Sequence, residues 1–171
     1  MLDEQEFWYV ARTRANQELG LRNSFIKYEI THYLPTHMVT RRLSDRVKRV
    51  EVPVINNLIF IKTTKQKAFS IVKDYSLKIS YIRDFETNAL LVVPEKQMAD
   101  FMFVMDLSPE SIQQCTADFV PGDKVKVIKG PLAGIEGELV RIDGKTHVML
   151  RIKQVLAISV KVPKSYLEKI R

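Results

Sequence analysis

Cysteine and long apolar runs are scarce in this chain of 171 residues, and each scarcity excludes a class of protein. Cys115 is the single cysteine, which excludes an intramolecular disulfide framework and a multi-cysteine zinc site. No stretch approaches the roughly 18 uncharged apolar residues of a transmembrane helix. Residues 1–6 are acidic, whereas a secretory signal begins with basic residues. We therefore expect a cytoplasmic protein without membrane contact, and its 46% hydrophobic and 27% charged residues are typical of a folded chain.

Residues that carry catalytic chemistry are few and scattered. His32, His37 and His147 have no carboxylate spaced to partner them on one element, and Cys115 has no obvious activating histidine. The segment between His32 and His37 contains Pro35 and is extended, which makes the two histidines a poor pair of metal ligands. The sequence therefore predicts no enzyme, no metal site and no cofactor.

Positive charge is in excess and is unevenly distributed along the chain. The net charge is +7, and residues 116–171 contain 11 Lys and Arg against 6 Asp and Glu. A further basic run lies at residues 41–49 and is interrupted by Asp45. Such charge favours polyanions, chiefly nucleic acids, through the release of counterions, but it would also simply keep a small protein dissolved. Charge alone leaves both interpretations open.

The first two thirds of the chain alternate between strand and helix patterns. Phe7–Arg12 and Leu58–Lys62 are rich in apolar β-branched and aromatic residues, which indicates buried strands. Thr64 is a good N-cap for the helix that follows it. The predicted elements are, in order, a strand at 7–12, a helix at 16–28, extended chain at 30–39, an exposed basic hairpin or loop at 41–49, strands at 50–54 and 58–62, a helix at 65–74, strands at 79–83 and 89–93, and a helix that begins at Pro94.

The last third has an all-β pattern. Residues 108–117 are polar and aperiodic and indicate a linker, so we predict one domain at 1–107 and another at 118–171. Five of the six glycines lie in the second domain, and Asp143-Gly144 is typical of a tight two-residue hairpin. About five short strands of this kind suit a small barrel.

A glycine-spaced motif, Val120–Val140, is the most informative stretch. The phosphate-binding patterns G-x-G-x-x-G and G-x-x-x-x-G-K-[ST] are both absent. Glycine instead supplies positive φ and close backbone approach where strands bend, and Pro131 fixes a turn. The stretch resembles a KOW motif, the SH3-like barrel shared by NusG-type elongation factors and several ribosomal proteins.

The N-terminal pattern decides between those two classes. Trp8-Tyr9-Val10, a helix, a basic hairpin, the strand at 58–61 and a final helix resemble the N-terminal domain of the NusG superfamily. The resemblance implies an α+β fold, with a four-stranded antiparallel sheet flanked by helices ahead of the KOW barrel. The chain is most similar to the specialised RfaH and UpxY types, because Ile55-Asn56-Asn57 stands where the housekeeping factor has an aromatic residue and a Pro-Gly pair.

The resemblance implies that the N-terminal domain binds the clamp of RNA polymerase through an exposed apolar depression. Ile55 lies beside a turn, and we expect its side chain to be exposed, whereas Phe60 is expected in the core. The other aromatic residues could equally belong to the core. The implied polymerase contacts are Tyr9, Ile55, Asn56, Asn57, Tyr81 and Phe85.

A second implied surface contacts the non-template DNA strand of the transcription bubble. It combines the passage from the first strand to the first helix with the end of the second helix. The implied residues are Arg12, Arg14, Asn16, Lys73 and Lys78. Arginine can pair with phosphate and also stack on an unpaired base. The competing interpretation is a solvated basic rim.

The implied function is elongation control and antitermination by a monomer, and the resemblance to the RfaH and UpxY types implies confinement to operons of the capsular polysaccharide type. Binding across the DNA channel would favour the closed clamp, with a coupling of about 1–3 kcal/mol, and would suppress pausing or termination. The KOW domain would recruit a ribosomal protein, a termination factor or RNA, and its β-rich sequence predicts no stable helical form. The alternative is a ribosome- or RNA-binding KOW protein without polymerase contact.

Overall fold

A computed structural model describes residues 4–107, 109–115 and 122–171. It has mixed α and β structure, with three α-helices and antiparallel sheets in those residues. The chain divides into two compact units, residues 1–95 and 96–171. This division lies ahead of the last helix, whereas the sequence placed the boundary after it, and the boundary at 107 stays a prediction. No helix within the described ranges has the length and apolar character needed to cross a membrane.

From residue 4 onward, where the structure describes it, the N-terminal unit contains seven strands and two helices. They are β1 (Glu6–Arg12), α1 (Glu18–Lys27), β2 (His32–Tyr33), β3 (Thr36–Arg42), β4 (Val47–Pro53), β5 (Leu58–Thr64), α2 (Lys65–Asp74), β6 (Ser80–Tyr81) and β7 (Val92–Val93). One sheet has the order β2-β5-β1-β6, with β7 also paired to β1, and β3 and β4 form a separate hairpin. The sheet therefore has five strands where the resemblance implied four, because β6 and β7 share one edge of β1.

The core of this unit is the pair β1 and β5. Their apolar runs, Trp8–Ala11 and Leu58–Ile61, are buried without interruption, as expected for central strands. One face packs against the helices, since Ile59 and Ile61 share a cluster with Phe25 of α1 and Ile71 of α2. The sheet thus holds both helices in place, and the predicted nucleic-acid residues lie ahead of α1 and at or after the end of α2.

Capping and one ion pair hold the peripheral elements of the unit. The Thr64 hydroxyl accepts a hydrogen bond from the Lys67 amide at 3.2 Å, which confirms the predicted N-cap of α2. Arg22 of α1 donates two hydrogen bonds to Glu51 of β4, at 2.5 and 3.0 Å. The hairpin of β3 and β4 is therefore tied to α1 at its base, while residues 40–49 are exposed as predicted.

In its described residues the C-terminal unit contains a six-stranded sheet and one helix, which begins at the boundary between the units. Its elements are α3 (Glu95–Leu107), β8 (Gln113–Cys115), β9 (Lys124–Val127), β10 (Glu136–Ile142), β11 (Lys145–Ile152), β12 (Leu156–Lys161) and β13 (Leu167–Lys169), with 3₁₀ turns at Pro109–Ser111 and Lys164–Tyr166. The strand order is β13-β9-β10-β11-β12-β8. β8 lies within the segment predicted to be a linker and pairs with β12, while residues 108, 116 and 117 of that segment lie outside the described residues.

Glycine has two different roles in this unit. Asp143 and Gly144 have φ values of 51° and 74°, which confirms the predicted two-residue hairpin between β10 and β11. Gly137 has no positive φ; a Cβ there would lie 2.5 Å from the Met149 carbonyl oxygen of the neighbouring strand. Close strand approach, rather than turn geometry, therefore requires glycine at 137.

Candidate nucleic-acid interface

A groove of about 410 Å³ lies in the N-terminal unit between the start of α1 and the segment that follows α2. Most of its lining residues are polar, and they include Arg14 and Asn16 from the link between β1 and α1, Ser24 of α1, and Ser76 and Lys78 after α2. Arg14 and Lys78 supply positive charge from two separate segments. The groove can therefore offer an anionic chain both charge and hydrogen bonds.

Local backbone conformation shapes both rims of the groove. Asn16 and Ser76 have φ values of 61° and 52°, in the left-handed region that asparagine tolerates better than serine does. The Thr13 amide donates a hydrogen bond to the Asn57 carbonyl at 3.0 Å. The first rim is thus attached to the turn that precedes β5. At both rims the chain changes direction within a few residues.

Three of the five predicted nucleic-acid residues line this groove. Arg14 and Asn16 lie on one rim and Lys78 on the other. Arg12 is exposed at the end of β1, opposite Leu58, and Lys73 is exposed in the last turn of α2. Neither Arg12 nor Lys73 is among the lining residues.

Two stacked tyrosines next to the groove were missed from the sequence. Tyr28 and Tyr75 follow the ends of α1 and α2, and their ring centroids lie 4.2 Å apart at an interplanar angle of 20°. The Lys27 ammonium lies 5.4 Å from the centroid of Tyr28. Tyr75 immediately precedes Ser76 of the groove. The detectable signal was an aromatic residue at the end of each of two predicted helices.

The turn at Asn56 and Asn57 is exposed and is held by a buried carboxylate. Asn57 has a φ of 63°, and its amide donates a hydrogen bond to Glu18 Oε1 at 3.0 Å. Glu18 is only 4% exposed. No local pattern in the sequence indicates this burial, because the hydrogen-bond donor to Glu18 lies 39 residues away along the chain.

The expected exposure of Ile55 is wrong, since its side chain is only 2% exposed. The following turn brings the two asparagines to the surface and leaves the isoleucine beneath them. Burying such a side chain contributes about 1.5–3 kcal/mol, which outweighs any preference for the surface. Ile55 can therefore support the turn from below but is not itself a surface contact in this conformation.

The aromatic candidates divide into core and surface. Tyr9 is buried, so it does not form the wall of an open depression, and Phe60 is in the core as expected. Tyr81 is half-buried, packs edge-on against Tyr9 at 6.2 Å and donates a hydrogen bond from its hydroxyl to the Ala68 carbonyl at 2.8 Å. Burial raises the pKa of Tyr81 above its ordinary value. Phe85 is 81% exposed and is the most exposed of the aromatic residues that the resemblance implies as polymerase contacts.

Histidine and cysteine are not clustered. His32 Nδ1 lies 2.8 Å from the Ile30 carbonyl oxygen, and burial lowers the pKa of His147 in the other unit. Within residues 4–107, 109–115 and 122–171, no group of three or more His, Cys, Asp or Glu side chains could hold a metal ion.

Comparisons with known proteins identify two family matches. A family model described as transcription termination factor nusG matches residues 6–102, and one described as KOW motif matches residues 121–155. A solved structure described as domain interaction in Thermotoga maritima NusG is 17% identical, covers 98% of each chain and has a TM-score of 0.53. A second, the MjSpt4:Spt5 complex, is 13% identical, covers 95% of this chain and 96% of that chain, and has a TM-score of 0.28. No curated protein matches this chain.

Proposed function

Because this chain belongs to the NusG family of transcription factors, whose members act in elongation and termination, we propose that its N-terminal unit binds RNA polymerase and contacts the non-template DNA strand. The observation that carries the proposal is that the family match at 6–102 includes the whole groove with Arg14, Asn16 and Lys78. Arg14 and Lys78, which belong to separate segments, therefore line one groove within the domain that defines the family.

The groove has the chemistry that an unpaired strand requires. Arg14 and Lys78 can neutralise phosphates, and the Asn16 amide can donate and accept hydrogen bonds at a base edge. The neighbouring Tyr28 and Tyr75 add an aromatic pair of which Tyr75 is partly exposed. Stacking of a base on such a side chain contributes about 1–3 kcal/mol. Arg12 and Lys73 are proposed to add long-range attraction from outside the groove.

The proposed polymerase contact follows from what the structure exposes. Phe85, Asn56 and Asn57 are at the surface, and we assign them the direct contact with the clamp. Tyr9, Ile55 and Tyr81 are assigned a positioning role, because Tyr9 and Ile55 are buried and Tyr81 is half-buried against Tyr9. An exposed aromatic side chain is the type of residue that dominates the binding energy of many interfaces.

The proposed effect on transcription is a shift between two states of the polymerase. A factor that binds the closed clamp more tightly than the open one favours the closed state by that difference, typically about 1–3 kcal/mol. Pausing and termination would then be suppressed, in the operon-specific manner of RfaH- and UpxY-type proteins. The KOW domain would recruit a ribosomal protein, a termination factor or RNA, with the protein acting as a cytoplasmic monomer.

Pull-down of core RNA polymerase and transcription in vitro on several templates test the proposal. Phe85→Asp should abolish polymerase binding, whereas Phe69→Asp is a matched control, because Phe69 is also an exposed phenylalanine of the same unit. Arg14→Gln with Lys78→Gln should keep polymerase binding and lose readthrough. Binding to ribosomal RNA alone, unchanged by Phe85→Asp, would instead support the ribosome-binding alternative.

A further inference from the structure

The hairpin of β3 and β4, residues 36–53, has an unusual surface, and we call it the basic arm. It forms a two-stranded sheet of its own, and residues 40–49 are all exposed. Those ten residues contain five cations and one anion, Asp45. Among the described residues, the one ion pair that involves the arm joins Glu51, at the base of the arm, to Arg22 of α1. The exposed cations of the arm are therefore available to an external anion.

The cations occupy both faces of the arm. Side chains of directly paired residues share a face, and successive residues alternate between faces. Arg41 pairs with Lys48 on one face, while Arg49 and Arg42 lie on the other, opposite Thr40 and Val47. The arm is therefore a ribbon that presents positive charge in two opposite directions.

This distribution favours a partner that surrounds the ribbon with negative charge. The major groove of B-form DNA is about 12 Å wide and admits a two-stranded ribbon between two phosphate backbones. The major groove of double-stranded RNA is too narrow for such an element. Residues 40–49 contain no aromatic side chain, and His37 lies near the base of the arm, so the exposed part of the arm has no aromatic ring on which unpaired bases could stack.

We infer that the basic arm binds double-stranded DNA, entering the major groove and pairing its cations with phosphates on both sides. The contact is separate from the groove at Arg14 and Lys78, which is proposed for an unpaired strand. It does not depend on polymerase binding, because the charges and the ribbon belong to the arm itself. Phosphate contacts of this kind position a protein on DNA without selecting a sequence.

The test is fluorescence anisotropy of the full chain with a short DNA duplex, between about 0.05 and 0.2 M salt. Substituting Arg41, Arg42, Lys48 and Arg49 by glutamine should reduce the slope of log K against log salt by about 3 to 4, since each phosphate contact contributes about 0.9. The variant with each Arg changed to Lys and Lys48→Arg should keep the slope. Circular dichroism checks that both variants remain folded.

Four outcomes contradict the inference. A charge-matched variant of the C-terminal unit, with glutamine at Lys129, Arg141, Lys145 and Lys164, should keep most of the slope, and an equal loss would show a general charge effect. Equal loss of single-strand binding in the arm variant would point to unpaired nucleic acid. Unchanged binding to duplex DNA whose major groove carries glucosylated cytosines would exclude entry into that groove. If the arm variant aggregated but kept its DNA binding, the cations would serve only to prevent the exposed strands from pairing with another molecule.

Discussion

Two antiparallel strand pairs of the N-terminal unit have the same length and opposite surroundings. β1 and β5 are joined by seven residue pairs, from Glu6 with Thr64 to Arg12 with Leu58. β3 and β4 are also joined by seven, from Thr36 with Pro53 to Arg42 with Val47. Nearly every side chain of the first pair is buried between those ends, whereas the second pair has no buried side chain and is fully exposed toward its tip.

The difference shows that backbone pairing alone does not decide whether a strand pair stabilises the fold or is free to bind a partner. The β1–β5 pair stabilises the unit because helices cover one of its faces with Phe25 and Ile71. Glu51 ties the basic arm to Arg22 of α1 and also accepts a hydrogen bond from Thr36 at 2.7 Å. Substitutions in the first pair should therefore change stability, and substitutions toward the tip of the second should change binding.

The largest expected effect is the loss of stability caused by a substitution in the buried pair of β1 and β5. Ile59→Ala should reduce the free energy of unfolding by about 2–5 kcal/mol, because Ile59 is fully buried and the truncation leaves a cavity. Val47→Ala in the arm is the matched control; Val47 is 61% exposed, and the change should stay within about 0.5 kcal/mol. Urea denaturation measures both. A loss at Val47 as large as that at Ile59 would show that the arm is packed against other elements.

The end of β5 provides a smaller test of the same pair. Thr64→Ala should cost about 1 kcal/mol, since it leaves the Lys67 amide at the start of α2 without its side-chain acceptor. Thr64→Ser keeps the hydroxyl and should retain most of the stability. Thermal denaturation distinguishes the two variants, and equal losses would attribute the effect to the lost methyl group rather than to capping.

The buried pair and the groove differ in how far the sequence predicts them. β1, β5 and α2 were predicted to within two residues, because periodicity and an N-cap are local signals. The shared edge of β1 and the pairing of β8 were not, since strands of two or three residues have no detectable period and their partners are distant in sequence. The sequence therefore did not predict strand pairings between residues that are distant along the chain.

The site shows the same limit. The resemblance named Arg14, Asn16 and Lys78, and the structure brings them to one groove. Ile55 was misplaced because an isoleucine beside a turn has the same local pattern whether it points inward or outward. The burial of Glu18 could not be predicted, because an acidic residue early in a helix is ordinarily solvated and its partner, the Asn57 amide, is distant in sequence.

The smallest expected effect concerns the attachment of the arm. Hydrogen bonds from Arg22, and then from Thr36, lower the pKa of Glu51 to about 2, from an ordinary value of 4.5. A lowered pKa in the folded state stabilises the protein above the unfolded value and loses that contribution as the pH falls toward the folded one. The side chains are partly exposed, so Glu51→Gln should cost at most about 1 kcal/mol.

This attachment predicts how the arm responds to acid. The difference in unfolding free energy between the wild type and Glu51→Gln should be constant from pH 7 to about 5 and should shrink as the pH falls from about 5 toward 2. Urea titrations across that range measure it. Arg22→Gln completes a double-mutant cycle, in which the second substitution should add little to the first. Fully additive losses, or a difference that grows as the pH falls, would show that the ion pair does not hold the arm.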